Sequence, residues 1–136
     1  MAAEDEVRQA SDRFHAALTQ WAKGDPGGVS AWGAVWSHGE DVTHLAPEGG
    51  RDVGWEQLRA LFEQLPAAGG GQFRVLDQLI RVGTDLAYEV GVEDVDVMMG
   101  DQRLQFKGRF TNIYRREDGE WKMVHHHVDA LGPLPQ

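Results

Sequence analysis

Residues 73–82, 86–98, 103–116 and 121–130 are four long runs rich in valine, isoleucine, phenylalanine and tyrosine, separated by Thr84-Asp85, Gly100-Asp101 and Asp118-Gly119. β-branched and aromatic residues suit a pleated, half-buried surface. Short links of this kind close antiparallel hairpins. The pattern predicts a four-stranded antiparallel meander. Strands of this length twist and bend, and Gly91 and Gly108 are positions where a bulge or kink is cheap. A bent sheet has a concave side that other elements must fill.

The first half of the chain supplies those elements. Over residues 4–23, Val7, Ala10, Phe14, Ala17 or Leu18, and Trp21 recur at helical spacing, which gives one apolar stripe. Acids crowd its start and Lys23 its last turn, as the helix dipole favours, and Gly24 suits the position after the last turn. Asp25-Pro26 reads as a cap followed by proline at the first helical position, opening a second helix to about Trp36. Residues 41–46 read as a short strand, with Val42, His44 and Ala46 on one face. Pro47-Glu48-Gly49-Gly50 ends it as a turn. Residues 55–65 form a third helix that Pro66 stops, and residues 67–71 are a flexible connection. The expected fold is α+β: a cone-shaped roll of curved antiparallel sheet packed on three N-terminal helices, as one domain over residues 1–136.

Composition removes several classes of function. The formal charge of −9 disfavours nucleic acid, whose phosphates need a basic face. Arg115-Arg116 is too short a basic run and is followed at once by Glu117-Asp118. No apolar run approaches a membrane span, and the acidic N-terminus is unlike a targeting segment. The chain has no cysteine, so thiolate chemistry is excluded, and a cytoplasmic setting is expected. Ten arginines against three lysines suggest a GC-rich bacterial source. Gly49-Gly50 and Gly69-Gly70-Gly71 do not join a strand to a helix in the pattern of a phosphate loop.

Three stretches then carry a resemblance. Asp41-Val42-Thr43-His44-Leu45-Ala46-Pro47, Val53-Gly54-Trp55, and the hairpin from Thr111 through Trp121 to His127 resemble the nuclear transport factor 2-like superfamily, and within it the SnoaL-like domains. The final hairpin is also similar to the association domain of calcium/calmodulin-dependent kinase. The resemblance implies a conical fold with an interior pocket and a homodimer. It leaves the activity open, because this fold hosts isomerases, cyclases, dehydratases, hydrolases and non-catalytic assembly modules. In the ketosteroid isomerase branch a base aspartate precedes the proline ending the first strand. Here that position is Ala46. The two acidic donors of that branch fall at about Ala17 and Thr111, so all three groups are absent, and with them the familiar base and donor pair.

Histidines are the remaining chemistry. In His125-His126-His127 neighbours point to opposite strand faces, so at most two share a side, too few for a zinc site. No metal and no cofactor are expected. Ordinary packing explains most of the run. By resemblance, Val124, His126 and Val128 face the pocket, and His44 shares a face with Ala46. Histidine titrates near neutrality and serves as base or acid with little tuning, so His44 and His126 are the catalytic candidates. Tyr88, Arg109, Asn112 and Tyr114 are polar ligand-binding candidates. Either Arg109 with Thr111 or Asn112 with Tyr114 faces inward, depending on a bulge near Gly108. Trp36 and Trp55, with Trp32, are candidates to line a pocket for a flat ligand. Glu93 and Asp94-Val95-Asp96 read as a solvated strand rim. Phe106, Phe110 and Met123 are expected partly on the outer face, where a second copy would pair. Two readings follow: a cofactor-independent isomerase, cyclase or dehydratase acting on a small apolar carbonyl compound, or a non-catalytic ligand-binding or assembly module.

Overall fold

A computed structural model describes residues 2–47, 49–66 and 68–131. Glu48 of the expected turn and Ala67 of the expected connection lie outside the described residues. Helix α1 (Ala3–Ala22) begins with Glu4, Asp5 and Glu6 in its first turn, where the dipole favours acids. Gly24, at φ 83°, ends it in the left-handed conformation that glycine adopts freely. Asp25 Oδ1 then accepts the Gly27 N–H at 2.8 Å and opens α2 (Gly27–Val35). After β1 (Thr43–Leu45) and β2 (Asp52–Val53) comes α3 (Trp55–Glu63).

The meander is β3 (Ala68–Val82), β4 (Leu86–Met99), β5 (Gln102–Glu117) and β6 (Glu120–Leu131). The sheet has six strands in the order β2-β1-β6-β5-β4-β3. Among these strands β1 against β6 is parallel and the other pairs are antiparallel. This is the expected α+β roll, a curved sheet folded over three helices. Two details differ from expectation. The two-residue strand β2 is too short to leave a periodic signature. β3 starts at Ala68 rather than residue 73, because Gly70 and Gly71, at φ 140° and 138°, carry the strand through a bulge with no side chains to announce it.

Two further bulges shape the sheet. In β3, Leu76 pairs with Val92 and Leu79 with Val90, so Asp77 and Gln78 stand opposite Gly91 alone. Asp77 takes φ 53° there. A Cβ on Gly91 would come within 3.0 Å of the Leu76 carbonyl and of the Phe110 ring, so glycine admits the bulge. In β6, Met123 pairs with Tyr114 and His125 with Ile113, which leaves Val124 as the extra residue. At Gly108 the register is continuous. Its glycine serves close packing instead, since a Cβ would lie 2.6 Å from Val128 Cγ2.

Alternation then sorts the side chains. Ala87, Glu89, Glu93, Val95 and Val97 of β4, and Phe110, Asn112 and Tyr114 of β5, are buried beneath the helices. From α1, Val7, Ala10, Ser11, Phe14, His15, Ala17 and Leu18 are buried. Trp32 stacks on Phe62 at 4.0 Å between ring centroids and packs with Trp36 at 5.5 Å. Phe110 and Met123 are buried in this interior, contrary to the outer-face expectation, and Phe106 lines an internal cavity. The outer face instead carries the cross-strand rows Tyr88, Ile113, His125 and Val90, Thr111, His127.

The bulge at Gly71 gives a direct test of this register. A Cβ there would lie 2.1 Å from the Asp96 carbonyl oxygen, and φ is unfavourable for any other residue. Gly71→Ala is expected to destabilise the fold by about 2 kcal/mol or more, read as a fall in the denaturation midpoint. Gly100→Ala, where a Cβ meets nothing within 4 Å, is expected to have the smaller effect.

Candidate functional site

The concave side of the sheet is not completely filled. A cavity of about 140 Å³ lies between α1, α3 and strands β4 to β6. Phe14, Trp32, Phe73, Val95, Val97, Phe106 and Val128 give it mostly apolar walls. Half-exposed Leu61 and Leu104 mark its outer end. Two of its deepest lining residues are polar, Glu93 at 3% exposure and His126 at 4%. His44 and Ala46 line it as well.

β6 brings His126 inward because the Val124 bulge resets the alternation after the inward Met123. The parallel pairing of β1 with β6 sets His44 beside His126, with ring centroids 5.5 Å apart. Behind His44, Asp52 Oδ2 lies 3.4 Å from Nδ1. His125 and His127 fall on the outer face, where Thr43 Oγ1 is 2.7 Å from His125 Nδ1 and Asp129 Oδ2 is 3.0 Å from His127 Nε2.

The orientation of His126 follows from a chain of polar contacts beneath it. Glu89 is wholly buried. Its carboxylate accepts hydrogen bonds from Ser11 Oγ at 2.7 Å, Gln78 Nε2 at 2.6 Å, Tyr114 OH at 2.8 Å and Asn112 Nδ2 at 3.0 Å. A carboxylate only accepts, so the Asn112 amide must turn its NH₂ to Glu89 and its oxygen the other way. That oxygen is 2.5 Å from His126 Nδ1. Nδ1 therefore carries the proton, and Nε2 keeps its lone pair. Burial, and then the charges of His44, His15, His125 and His127, push the His126 imidazole well below its ordinary range. His126 is thus a neutral ring whose Nε2 keeps an unshared lone pair.

Glu93 stands on the other side of that nitrogen. Its Oε1 is 3.7 Å from His126 Nε2 and 3.5 Å from His15 Nε2. His15 Nδ1 donates to the Ser11 carbonyl at 2.9 Å. Burial alone pulls the His15 imidazole down, but Glu93, the Ser11 carbonyl and Glu89 outweigh it and leave it raised. Neither His15 Nε2 nor Glu93 Oε1 has a well-aligned hydrogen-bond partner among the described residues. Glu93 is therefore an interior group, contrary to the expected strand rim. Its position on the Val95 and Val97 face holds it inside.

The other sequence candidates divide between this site and elsewhere. Asn112 and Tyr114 are the inward pair of β5 and belong to the support beneath His126. Tyr88, 47% exposed, and Arg109, beside Thr111 and Asp129, are on the outer face. Trp36 is packed solid against Trp32 and Phe14. Trp55 stacks on His38 at 4.0 Å in a separate groove between α2 and α3. Ser11, His15 and Glu89 were not singled out in the sequence, and Glu93 was read there only as part of the rim. Their signal is shared spacing: Ser11 and His15 are four apart beside Phe14 and Leu18, and Glu89 and Glu93 alternate in phase with Val95 and Val97. Among the described residues no group of three histidine, aspartate or glutamate side chains is placed to hold a metal ion, and no helix is long and apolar enough to cross a membrane.

The two buried imidazoles predict opposite pH effects. The raised His15 contributes stability that is full below its unfolded value and is lost as pH rises through the folded one. The depressed His126 contributes stability that is full above its unfolded value and is lost as pH falls toward the folded one. In urea denaturation from pH 6.5 to 5.5, the native chain is expected to lose stability through His126, by at most about 1.4 kcal/mol per pH unit. His126→Gln is expected to remove that loss and leave a weak gain from His15.

Comparison with known proteins agrees with the fold. No curated protein matches the chain. A candidate dehydratase of the NTF2-like family from Streptomyces avermitilis superposes with TM-score 0.77 at 17% identity, covering 96% of each chain. A candidate ketosteroid isomerase from Parabacteroides distasonis gives 0.70 at 25% identity, covering 98% of this chain and 92% of that one. The CaMKII hub of S. rosetta gives 0.73 at 18% identity, covering 96% and 98%. The SnoaL-like domain is matched over residues 7–130, and the chain belongs to that family.

Proposed function

We propose that the cavity binds a small apolar molecule and that His126 is a general base within it. The observation that carries this reading is the relay from Glu89 through Asn112 to His126 Nδ1, which leaves a neutral imidazole with its lone pair beside an apolar cavity. A base of this kind removes a proton from carbon next to a carbonyl. The C–H electrons pass into an enolate, and protonation elsewhere or loss of a β-hydroxyl completes isomerisation or dehydration. His44, lining the same cavity and backed by Asp52, is the acid that meets the developing oxyanion. No cofactor enters this scheme. The carboxylate base that Ala46 lacks is replaced by an imidazole on a different strand. A cavity of about 140 Å³ limits the ligand to about one six-membered ring, since roughly 150 Å³ holds benzene.

Once a substrate is identified by screening cyclic ketones and hydroxyketones, His126→Ala is expected to abolish turnover with the fold intact by circular dichroism. Asn112→Leu is expected to lower kcat by about 10-fold or more while shifting the pH profile, because it frees the His126 tautomer. Full activity in both variants would remove the assignment.

A second reading concerns the outer face and is compatible with the first. Tyr88, Ile113, Val90 and Thr111 form adjoining cross-strand rows on the face opposite the one that the described helices cover. We propose that this face pairs two copies as a homodimer, with residues 1–136 as one domain working in the cytoplasm. Light scattering is expected to report twice the mass of one chain, and Ile113→Glu is expected to halve it. One chain per particle in the native protein would contradict the pairing.

A further inference from the structure

We infer that the molecule this cavity takes carries a neutral hydroxyl at its buried end, and that Glu93 is the group that accepts its proton in a hydrogen bond. This rests on the reading of the cavity as a ligand pocket and adds the chemical class of its occupant.

The deep polar groups on the cavity are both acceptors. Glu93 presents a buried carboxylate oxygen whose nearest donor, His15 Nε2 at 3.5 Å, is poorly aligned, leaving it without a well-made hydrogen bond among the described residues. His126 presents the unprotonated Nε2 that the Asn112 relay leaves behind. The two atoms are 3.7 Å apart. Two acceptors cannot satisfy each other, and an unmet buried acceptor is expensive. The missing partner is a well-aligned donor: His15 Nε2 meets Glu93 at 3.5 Å without good alignment, and His44, the imidazole that shares the cavity, stacks on His126 with Asp52 behind it. A pair of acceptors is the reverse of the donor pair that a carbonyl-stabilising site offers.

The donor is neutral rather than cationic. Glu93 already faces the His15 imidazole at 3.5 Å, and His15 is held toward its charged form by Glu93, the Ser11 carbonyl and Glu89. An ammonium would add a second cation for the same carboxylate in an otherwise apolar chamber, where an uncompensated charge is strongly disfavoured. A hydroxyl gives the hydrogen bond without that charge. A hydroxyl on Glu93 also leaves Nε2 of His126 facing the adjacent carbon, the position from which a base removes a proton. Glu93 is therefore an anchor that orients the substrate, and the substrate class is a ring-sized hydroxy compound with an apolar remainder.

A set of ring compounds of similar size tests this on the unmodified protein at pH 7.5 by NMR titration: phenol, anisole, toluene and benzylammonium. Phenol is expected to bind about 10-fold or more tighter than anisole and toluene, in line with one hydrogen bond to a buried charged acceptor. Anisole keeps the oxygen and loses only the proton, so it separates donation from polarity. Equal binding of phenol, anisole and toluene would overturn the inference and leave the pocket reading standing. Tightest binding by benzylammonium would overturn the neutral donor. Failure of all four to bind would end both the inference and the pocket reading. In Glu93→Leu, with the fold checked by circular dichroism, the preference for phenol is expected to vanish. Its survival there would show that Glu93 is not the anchor.

Discussion

A buried carboxylate with four donors around it organises the interior of this protein. Glu89 draws in Ser11 from α1, Gln78 from the β3 bulge, and Asn112 and Tyr114 from β5. An unpaired carboxylate in this position would be costly to bury, so the three elements that carry these donors must sit where they reach it. The Tyr114 hydroxyl, buried and donating to that carboxylate, is held well above its ordinary range. The bulge at Asp77 and Gln78 is part of the same arrangement, because it occurs where Gln78 extends to Glu89. What looks like an irregular edge strand is therefore tied to the polar centre. The tautomer of His126 is the last link of the chain and follows from the first.

Much of this architecture was legible in the sequence, and the reasons are specific. The meander is written in long β-branched runs and in Asp118-Gly119-type turns, which hardly admit another structure. The helix α1 is written in the spacing of Val7, Ala10, Phe14 and Leu18. The resemblance in residues 41–47 and 111–127 oriented these pieces, and it placed His44 and His126 on one face. Three things were hidden. The strand through Gly70 and Gly71 has no side chains from which to read a period. The choice between Arg109 and Asn112 depends on the absolute phase of β5, which alternation alone does not give. Glu89 and Glu93 were hidden by chemistry, since acids are seldom buried without partners, and the partners come from three other elements.

The cavity differs in kind from a site built on acidic donors. The position before the strand-ending proline is Ala46, so the wall is apolar where the ketosteroid isomerase branch carries its base. The deep polar groups of the cavity, Glu93 and His126, lie instead on β4 and β6. The stacked Trp32 and Phe62 rings close one side of the chamber and keep it near the volume of a single ring.

The extra residue at Val124 has a consequence for how tolerant β6 is of insertion and deletion. Met123 and His126 both point inward only because one residue between them is unpaired. In a regular strand continuing from Met123, alternation would turn His125 and His127 inward and His126 out. A triplet of identical rings therefore guarantees that either phase delivers imidazole to the chamber, one ring with the bulge and two without it. Evolution of this strand can shift by a single position and trade one inward imidazole for a pair without inventing a new side chain.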